Sequence, residues 1–335
     1  MAEPDAIIRC AQLFTATQPD LTEMTRPMIA QLSPAKALTG DYQQFLAALK
    51  DSGFRGEISA DYASRVVLAT DNSIYQRLPQ AAVFPLDAED VARVARLIAE
   101  PAYEKVVITP RGGGTGTNGQ SLTDGIVVDL SRHMNRILEI NVEQRWVRVQ
   151  AGVVKDQLNA ALKSAGLFFA PELSTSNRAT VGGMINTDAS GQGSCTYGKT
   201  RDHVLELEMI LRGGERLRGL PLAEDELAAQ CARDDRVGEV YRCARQIIDE
   251  QGELIKARFP DLNRCLTGYD LAHLREADQR FNLNSVLCGA EGSLGFVVEA
   301  RLNVLPIPKH TMLVNIRYAG FMDALRDARD RKSVV

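Results

Sequence analysis

Pro110-Arg111-Gly112-Gly113-Gly114-Thr115-Gly116-Thr117-Asn118-Gly119 is the stretch whose reading decides how this chain folds. A second run of small residues spans positions 174–198. It is built around Ala179-Thr180-Val181-Gly182-Gly183 and Asp188-Ala189-Ser190-Gly191-Gln192-Gly193. Glycines and hydroxyls at this density let bare backbone N–H groups approach an anion, because no Cβ stands in the way. A cofactor diphosphate suits such loops. The flanking residues decide which cofactor.

Two short motifs inside these runs point elsewhere. Gly114-x-Gly116-x-x-Gly119 is a literal dinucleotide fingerprint, and Gly193-x-x-x-x-Gly198-Lys199-Thr200 is a literal Walker A string. Each motif needs a strand before it and a helix after it, with the helix N-terminus facing the phosphate. After Gly119 come Gln120-Ser121-Leu122-Thr123-Asp124-Gly125 and then Ile126-Val127-Val128-Asp129-Leu130, a turn and a strand. After Thr200, residues 204–211 alternate as a strand, and Gly213-Gly214 before Arg216-Leu217-Arg218 predicts a hairpin. Residues 186–192 are polar and lack strand character. The glycine runs are therefore expected between strands. A P-loop nucleotide hydrolase built on Gly193 to Thr200 stays as the alternative.

This arrangement resembles the FAD-binding domain of the vanillyl-alcohol oxidase/p-cresol methylhydroxylase (PCMH-type) superfamily. Three blocks carry the resemblance, in the family's order. They are Pro110 to Gly119, residues 171–198, and Gly289-Ala290-Glu291-Gly292-Ser293-Leu294-Gly295 running into an apolar strand at 296–305. Three further stretches are similar to one subgroup, the long bacterial FAD-linked oxidases of the D-2-hydroxyglutarate dehydrogenase type, which carry a fused iron–sulfur segment. They are Thr70-Asp71-Asn72-Ser73-Ile74-Tyr75, Leu130-Ser131-Arg132-His133-Met134-Asn135-Arg136 and Leu266-Thr267-Gly268-Tyr269-Asp270-Leu271. The resemblance implies an α+β fold in which the pyrophosphate lies between two α+β subdomains. It places a helical extension at 1–52 and the FAD domain at 53–308, with subdomains at about 75–150 and 151–308. A helical insertion is expected at about 222–259 and the start of a substrate cap at 309–335, where a strand (311–318) and a helix (322–331) are read.

What the family holds in its loops can be carried over residue by residue. Pro110, Arg111, Gly112, Gly113, Gly114, Thr115, Gly116, Thr117 and Asn118 would form the first phosphate loop, with Arg111 free to pair with phosphate. Pro171, Thr175, Ser176, Thr180, Val181, Gly182, Gly183, Asn186, Ser190, Gly191, Tyr197 and Gly198 would form the second. Glu291 and Gly292 belong to the closing block, and backbone groups at Val297 and Val298 would read the adenine edge.

Many relatives bond the flavin covalently through a histidine in the first loop. Thr115 stands at that position, so noncovalent FAD is expected. Cys195 lies where some relatives carry a second covalent link, but it is read here as a small apolar filler. The implied reaction is oxidation of a D-2-hydroxy acid, such as D-2-hydroxyglutarate or a D-lactate-like substrate. It needs a base for the hydroxyl and cations for the carboxylate. Most of those groups come from the family's cap. Arg264 and Tyr269 are the candidates inside this sequence, as carboxylate ligand and ring neighbour. His133 and His203 sit beside strands and are read as structural, and no metal site is expected. Electrons would leave through an iron–sulfur cluster whose ligands lie beyond residue 335, to an unnamed acceptor. A flavin-binding module that is inactive by itself is the further alternative.

Composition agrees. A net charge of −4 argues against a nucleic-acid surface. No apolar run is long enough to span a bilayer, and no signal peptide is visible. Cys10, Cys195, Cys231, Cys243, Cys265 and Cys288 form no CxxC, which suits reduced thiols in a cytoplasmic protein. A homo-oligomer is compatible with all of this. Val91, Val94, Ala95 and Ile98 fall on one face of a helix read at 87–99. A strand is read at 106–109, a hairpin at 137–150, and a helix at 154–165 stopped by Gly166. The first 52 residues are expected to be peripheral, with a short helix at 41–50.

Overall fold

The computed structural model describes residues 37–259, 268–310 and 312–330. Two sheets carry the fold, and each leads into one of the glycine runs. The first contains β1 (Glu57–Ser59), β2 (Ala81–Phe84), β3 (Ile108–Arg111) and β4 (Ile126–Asp129), in the order β1–β2–β4–β3. β1 runs antiparallel to β2, and β4 runs parallel to both β2 and β3. β2 and β4 are buried at every residue, as parallel strands covered on both faces are.

Their side chains divide by alternation. Ala81, Val83, Ile126 and Val128 enter the main core, whereas Ala82, Phe84 and Val127 meet Leu68 on the other face. The main-core side takes α1 (Gly40–Asp51) and α3 (Ala88–Leu97); between them in sequence lies α2 (Tyr62–Val67). Asp87 caps α3 by accepting from the N–H groups of Glu89 and Asp90. Its stripe of Val91, Val94 and Ala95 is buried, as the periodicity predicts. Within the stretch expected to be peripheral, α1 is not, while residues 1–36 lie outside the described residues. Phe45, Leu46 and Leu49 are buried in the main core, and Phe45 meets Tyr103 edge-on.

The second sheet is antiparallel. β5 (Ile137–Asn141) and β6 (Trp146–Gln150) form the expected hairpin. α4 (Lys155–Leu162) follows, ending through a tight turn at Gly166, whose φ is +68°. β7 (Leu167–Phe168) comes next. β8 (Val204–Ile210) and β9 (Arg216–Gly219) pair across Gly213 and Gly214, both at positive φ. β10 (Phe296–Asn303) enters between β6 and β8, giving the order β5–β6–β10–β8–β9. β11 (Leu305–Pro306) pairs with β7. The helices of the expected insertion lie at 224–231 and 236–258. They are not merely polar: Leu227, Val237 and Tyr241 join the main core.

Two strand expectations need correction. β3 begins two residues later than read and carries Pro110 inside it. Pro lacks a ladder donor, but β3 is an edge strand, where this is tolerated. Residues 312–318 form no strand, and position 311 lies outside the described residues. Their alternating pattern finds no partner strand among the described residues, and Met312 is 88% exposed. The helix expected after them is present, at Phe321–Asp330.

The polar face of the second sheet holds one buried carboxylate. Glu206 is 2% exposed. It accepts from Arg218 at 2.5 Å and Arg148 at 3.3 Å, with Arg301 at 3.6 Å. Burial pushes its pKa up, but the Arg218 hydrogen bond and the three guanidinium charges together hold it below the usual range. A depressed folded pKa means the pairs stabilise fully above the unfolded value of about 4.3, and that this is lost as pH falls through the folded value. Glu206→Gln should therefore lower the unfolding free energy by roughly 2–3 kcal/mol at neutral pH. Denaturant titrations at neutral and acidic pH check this. A gap to the unaltered chain that stays constant into the acid range would contradict the assignment.

Candidate cofactor-binding site

The first run leaves the end of β3 and returns as β4 with no helix between them. It lies directly against the second run. A Cβ at Gly113 would stand 2.1 Å from the carbonyl oxygen of Arg178, so only glycine permits this backbone contact.

The second run is not a loop throughout. It contains the short helix α5 (Val181–Asn186), capped by the Thr180 hydroxyl, which accepts from the Gly183 N–H at 3.3 Å. Two glycines argue against a helix by propensity. Tertiary contacts override this. The Val181 N–H donates to Val153, and the Gly182 N–H to Ala151 at 2.7 Å. The next helix, α6 (Ser194–Tyr197), is a single turn.

The closing block docks on α5. Gly289 and Glu291 donate from their N–H groups to the carbonyls of Ile185 and Asn186. The Asn186 amide accepts from Gly292 N–H at 3.0 Å and donates to the Gly182 carbonyl at 2.8 Å. Gly292 in turn lies on Pro110, where a Cβ would stand 2.5 Å from the ring. All three blocks therefore touch one another.

Between them lies a cavity of about 400 Å³, within the range of small-molecule sites. Of the residues named from the sequence, Pro110, Arg111, Gly112, Gly113, Gly114, Thr115, Gly116, Thr117, Thr175, Thr180, Gly182, Gly183, Asn186, Ser190, Glu291, Gly292 and Val297 line it. Asn118, Pro171, Ser176, Val181, Gly191, Tyr197, Gly198 and Val298 are not among the lining residues. Val181 and Val298 face the core, and Tyr197 meets Phe168 edge-on. Gly191 lies against the Glu172 backbone. Sequence reasoning missed the apolar wall of Leu130, Ala151, Leu173, Ala179 and Met184, together with Gln120, Ser121, Thr187, Asp188 and Ala189. Apolar wall residues carry no spacing signal that separates them from core.

The wall offers neutral donors. Among the described residues, no backbone N–H from position 112 to 117 donates to a protein acceptor. The Thr115 and Thr175 hydroxyls stand with them. A run of free N–H groups along an irregular loop makes an anion-binding concavity. Arg111 does not supply a free cation. Its guanidinium donates to the carbonyls of Leu68 at 3.3 Å and Thr70 at 2.8 Å, and burial lowers its pKa. Asp188 and Glu291 also line the cavity, both at positive φ. The Asp188 carboxylate is paired with Lys199 at 3.0 Å and Arg201 at 3.4 Å.

The same pairing removes the P-loop alternative. Lys199 is buried on Asp188, the Thr200 hydroxyl donates to the Ala189 carbonyl at 2.7 Å, and α6 ends before both residues. Neither side chain is available to a triphosphate or its metal. Cys195 is exposed on α6 and is not among the lining residues, so it is no apolar filler. The Tyr269 hydroxyl meets Ser293 Oγ at 2.6 Å, and its ring is half-exposed and outside the cavity lining. Arg264 lies outside the described residues. His203 is buried, with Nε2 donating to the Tyr197 carbonyl at 2.7 Å, and His133 pairs with Glu57 at 2.8 Å.

A diphosphate at the free N–H groups and aromatic rings on the apolar wall both fit this chemistry. The geometry thus defines a cofactor domain of two α+β lobes around a diphosphate cradle, with no helix following the first glycine run. Residues 79–219 match the FAD binding domain family. Those residues carry a PCMH-type FAD-binding domain. It is 77% identical over 301 residues to a D-2-hydroxyglutarate dehydrogenase of Pseudomonas putida, covering 90% of this chain and 30% of that protein. It is 53% identical over 302 residues to the D-2-hydroxyglutarate dehydrogenase of Escherichia coli, again covering 90% of this chain and 30% of the relative. The chain therefore spans about a third of these relatives. An alkyldihydroxyacetonephosphate synthase structure shares the fold at 20% identity and a TM-score of 0.56, over 84% of this chain and 42% of that one.

The glycine contacts predict a contrast. A Cβ at Gly183 would meet just the Thr180 hydroxyl, at 3.2 Å. In the cofactor-free chain, Gly113→Ala should lower stability by roughly 2–3 kcal/mol, and Gly183→Ala by less than about 1 kcal/mol. Equal effects in denaturant unfolding would refute the backbone contact.

Proposed function

We propose that this chain is the flavin domain of an FAD-dependent dehydrogenase acting on a D-2-hydroxy acid, with D-2-hydroxyglutarate as the leading candidate. One observation carries the cofactor assignment: six successive unpartnered N–H groups, at 112–117, in the wall of an apolar-sided cavity. The substrate class rests on the D-2-hydroxyglutarate dehydrogenase relatives.

In this reading, the N–H groups of residues 112–117 with the Thr115 and Thr175 hydroxyls hold the diphosphate. Leu173, Ala151 and Met184 exclude water from the rings. Glu291 and Gly292 close the far side, kept there by Asn186. Bound FAD supplies a two-electron acceptor for the hydride of the substrate carbinol. Attachment is noncovalent: Thr115 offers no nucleophile of the kind histidine does, and Cys195 stands away from the lining. Most of the groups that act as base and carboxylate ligands would come from the family's cap, with Arg264 as the carboxylate candidate inside this sequence. An iron–sulfur segment there is the proposed exit for electrons. We place the protein in the cytoplasm.

Visible absorption of the gently purified chain, before and after acid precipitation, tests the reading. A flavin spectrum that moves entirely into the supernatant is expected. D-2-hydroxyglutarate should bleach the flavin of the full-length relative, while this chain alone stays yellow. A colourless chain that also refuses added FAD would refute the assignment, and colour retained in the pellet would refute noncovalent attachment.

A further inference from the structure

We propose that the turn formed by residues 70–76 is a clamp that fixes the peptide orientation of the first glycine loop, with Asp71 as its positioning residue. Its importance for FAD rests on the reading above; the clamp itself can be tested without cofactor.

The turn is closed by the pairing of Thr70 with Gln76 and by the Arg77 N–H donating to Ala69 at 2.9 Å. It touches the loop at three places. At the start, Arg111 donates to the Thr70 carbonyl. In the middle, the Asn72 N–H donates to the Gly114 carbonyl at 3.1 Å. At the end, the Tyr75 ring lies on Gly119, where a Cβ would stand 3.0 Å from it. Asp71 joins these contacts. One carboxylate oxygen accepts from the Ser73 N–H at 2.8 Å and shapes the turn. The other accepts from the Ser121 hydroxyl at 3.0 Å, on the far side of the loop.

The middle contact has a directional consequence. In a planar trans peptide the C=O and N–H point opposite ways. Holding the Gly114 carbonyl on the turn therefore directs the Thr115 N–H away from the turn, toward the cavity that Thr115 lines. The turn does little else for the fold. Ile74 is 94% exposed, and no residue from 70 to 76 is buried. A part with almost no core contact but two side-chain and two backbone ties to one loop serves that loop.

Asp71→Ala, Asp71→Asn and the unaltered chain separate this from a general structural role. In the cofactor-free chains, tryptic cleavage after Arg111 should be about tenfold faster in Asp71→Ala, with the melting temperature nearly unchanged. The dissociation constant for FAD should rise about tenfold. Asp71→Asn keeps hydrogen-bonding groups at both positions and should restore most of both properties. Unchanged cleavage in Asp71→Ala would overturn the clamp. So would faster cleavage with unaltered FAD affinity, or a fall in melting temperature that accounts for both changes. If the unaltered chain takes up no FAD, the cofactor assignment fails separately, and cleavage after Arg111 still decides the clamp.

Discussion

The contact of Gly113 with the Arg178 carbonyl is the constraint on which the site depends. It brings two peptide backbones together with no side chain between them. The first run is fixed to the first sheet through β3, and the second to the antiparallel sheet through Ala151 and Val153. Where they touch, the two lobes are held at backbone distance. Asn186 then ties the closing block to α5, and Gly292 brings that block onto Pro110. The cavity is thus a product of three mutual contacts. Each block meets both of the others.

This economy of side chains shapes the electrostatics. A phosphate site built on lysines and arginines attracts its ligand through long-range charge and weakens with salt. Here Arg111 is committed to carbonyls, and Lys199 and Arg201 to Asp188. What the first loop presents to the cavity is a row of oriented dipoles, effective at contact distance and in a low-dielectric wall. Such a site selects by shape, since a misplaced anion loses several N–H groups at once. The apolar side adds nonspecific affinity but fixes where the rings can lie.

The sequence made the glycine blocks legible because their composition has few other uses, and their order in the chain supplied the rest. The helix at 88–97 and the hairpin at 137–150 followed from apolar periodicity. What failed was tertiary. α5 forms despite Gly182 and Gly183 because Ala151 and Val153 accept its first N–H groups, and nothing local announces those partners. Arg111 was read toward phosphate because a guanidinium beside a glycine loop suggests it. Its actual partners lie some forty residues earlier. Phe45 and Leu49 looked like parts of a loose extension until their neighbours in α3 and the first sheet were known. The strand read at 311–318 shows the converse: alternation without a partner does not make a sheet.

The position of β10 sets an order of events during synthesis. It is among the last strands in the sequence, yet it lies in the middle of the second sheet, between β6 and β8. The first sheet needs nothing after residue 129 and can assemble early on the emerging chain. The second sheet waits, with β6 and β8 each missing a neighbour, until residue 303 has been made. The closing block immediately precedes β10, so the cradle is completed in that same final step. A ribosome-bound chain shorter than this would present two open strand edges and an unfinished site. Cofactor capture is thereby coupled to completion of the domain, and the interval before it is when the chain is most exposed to mispairing.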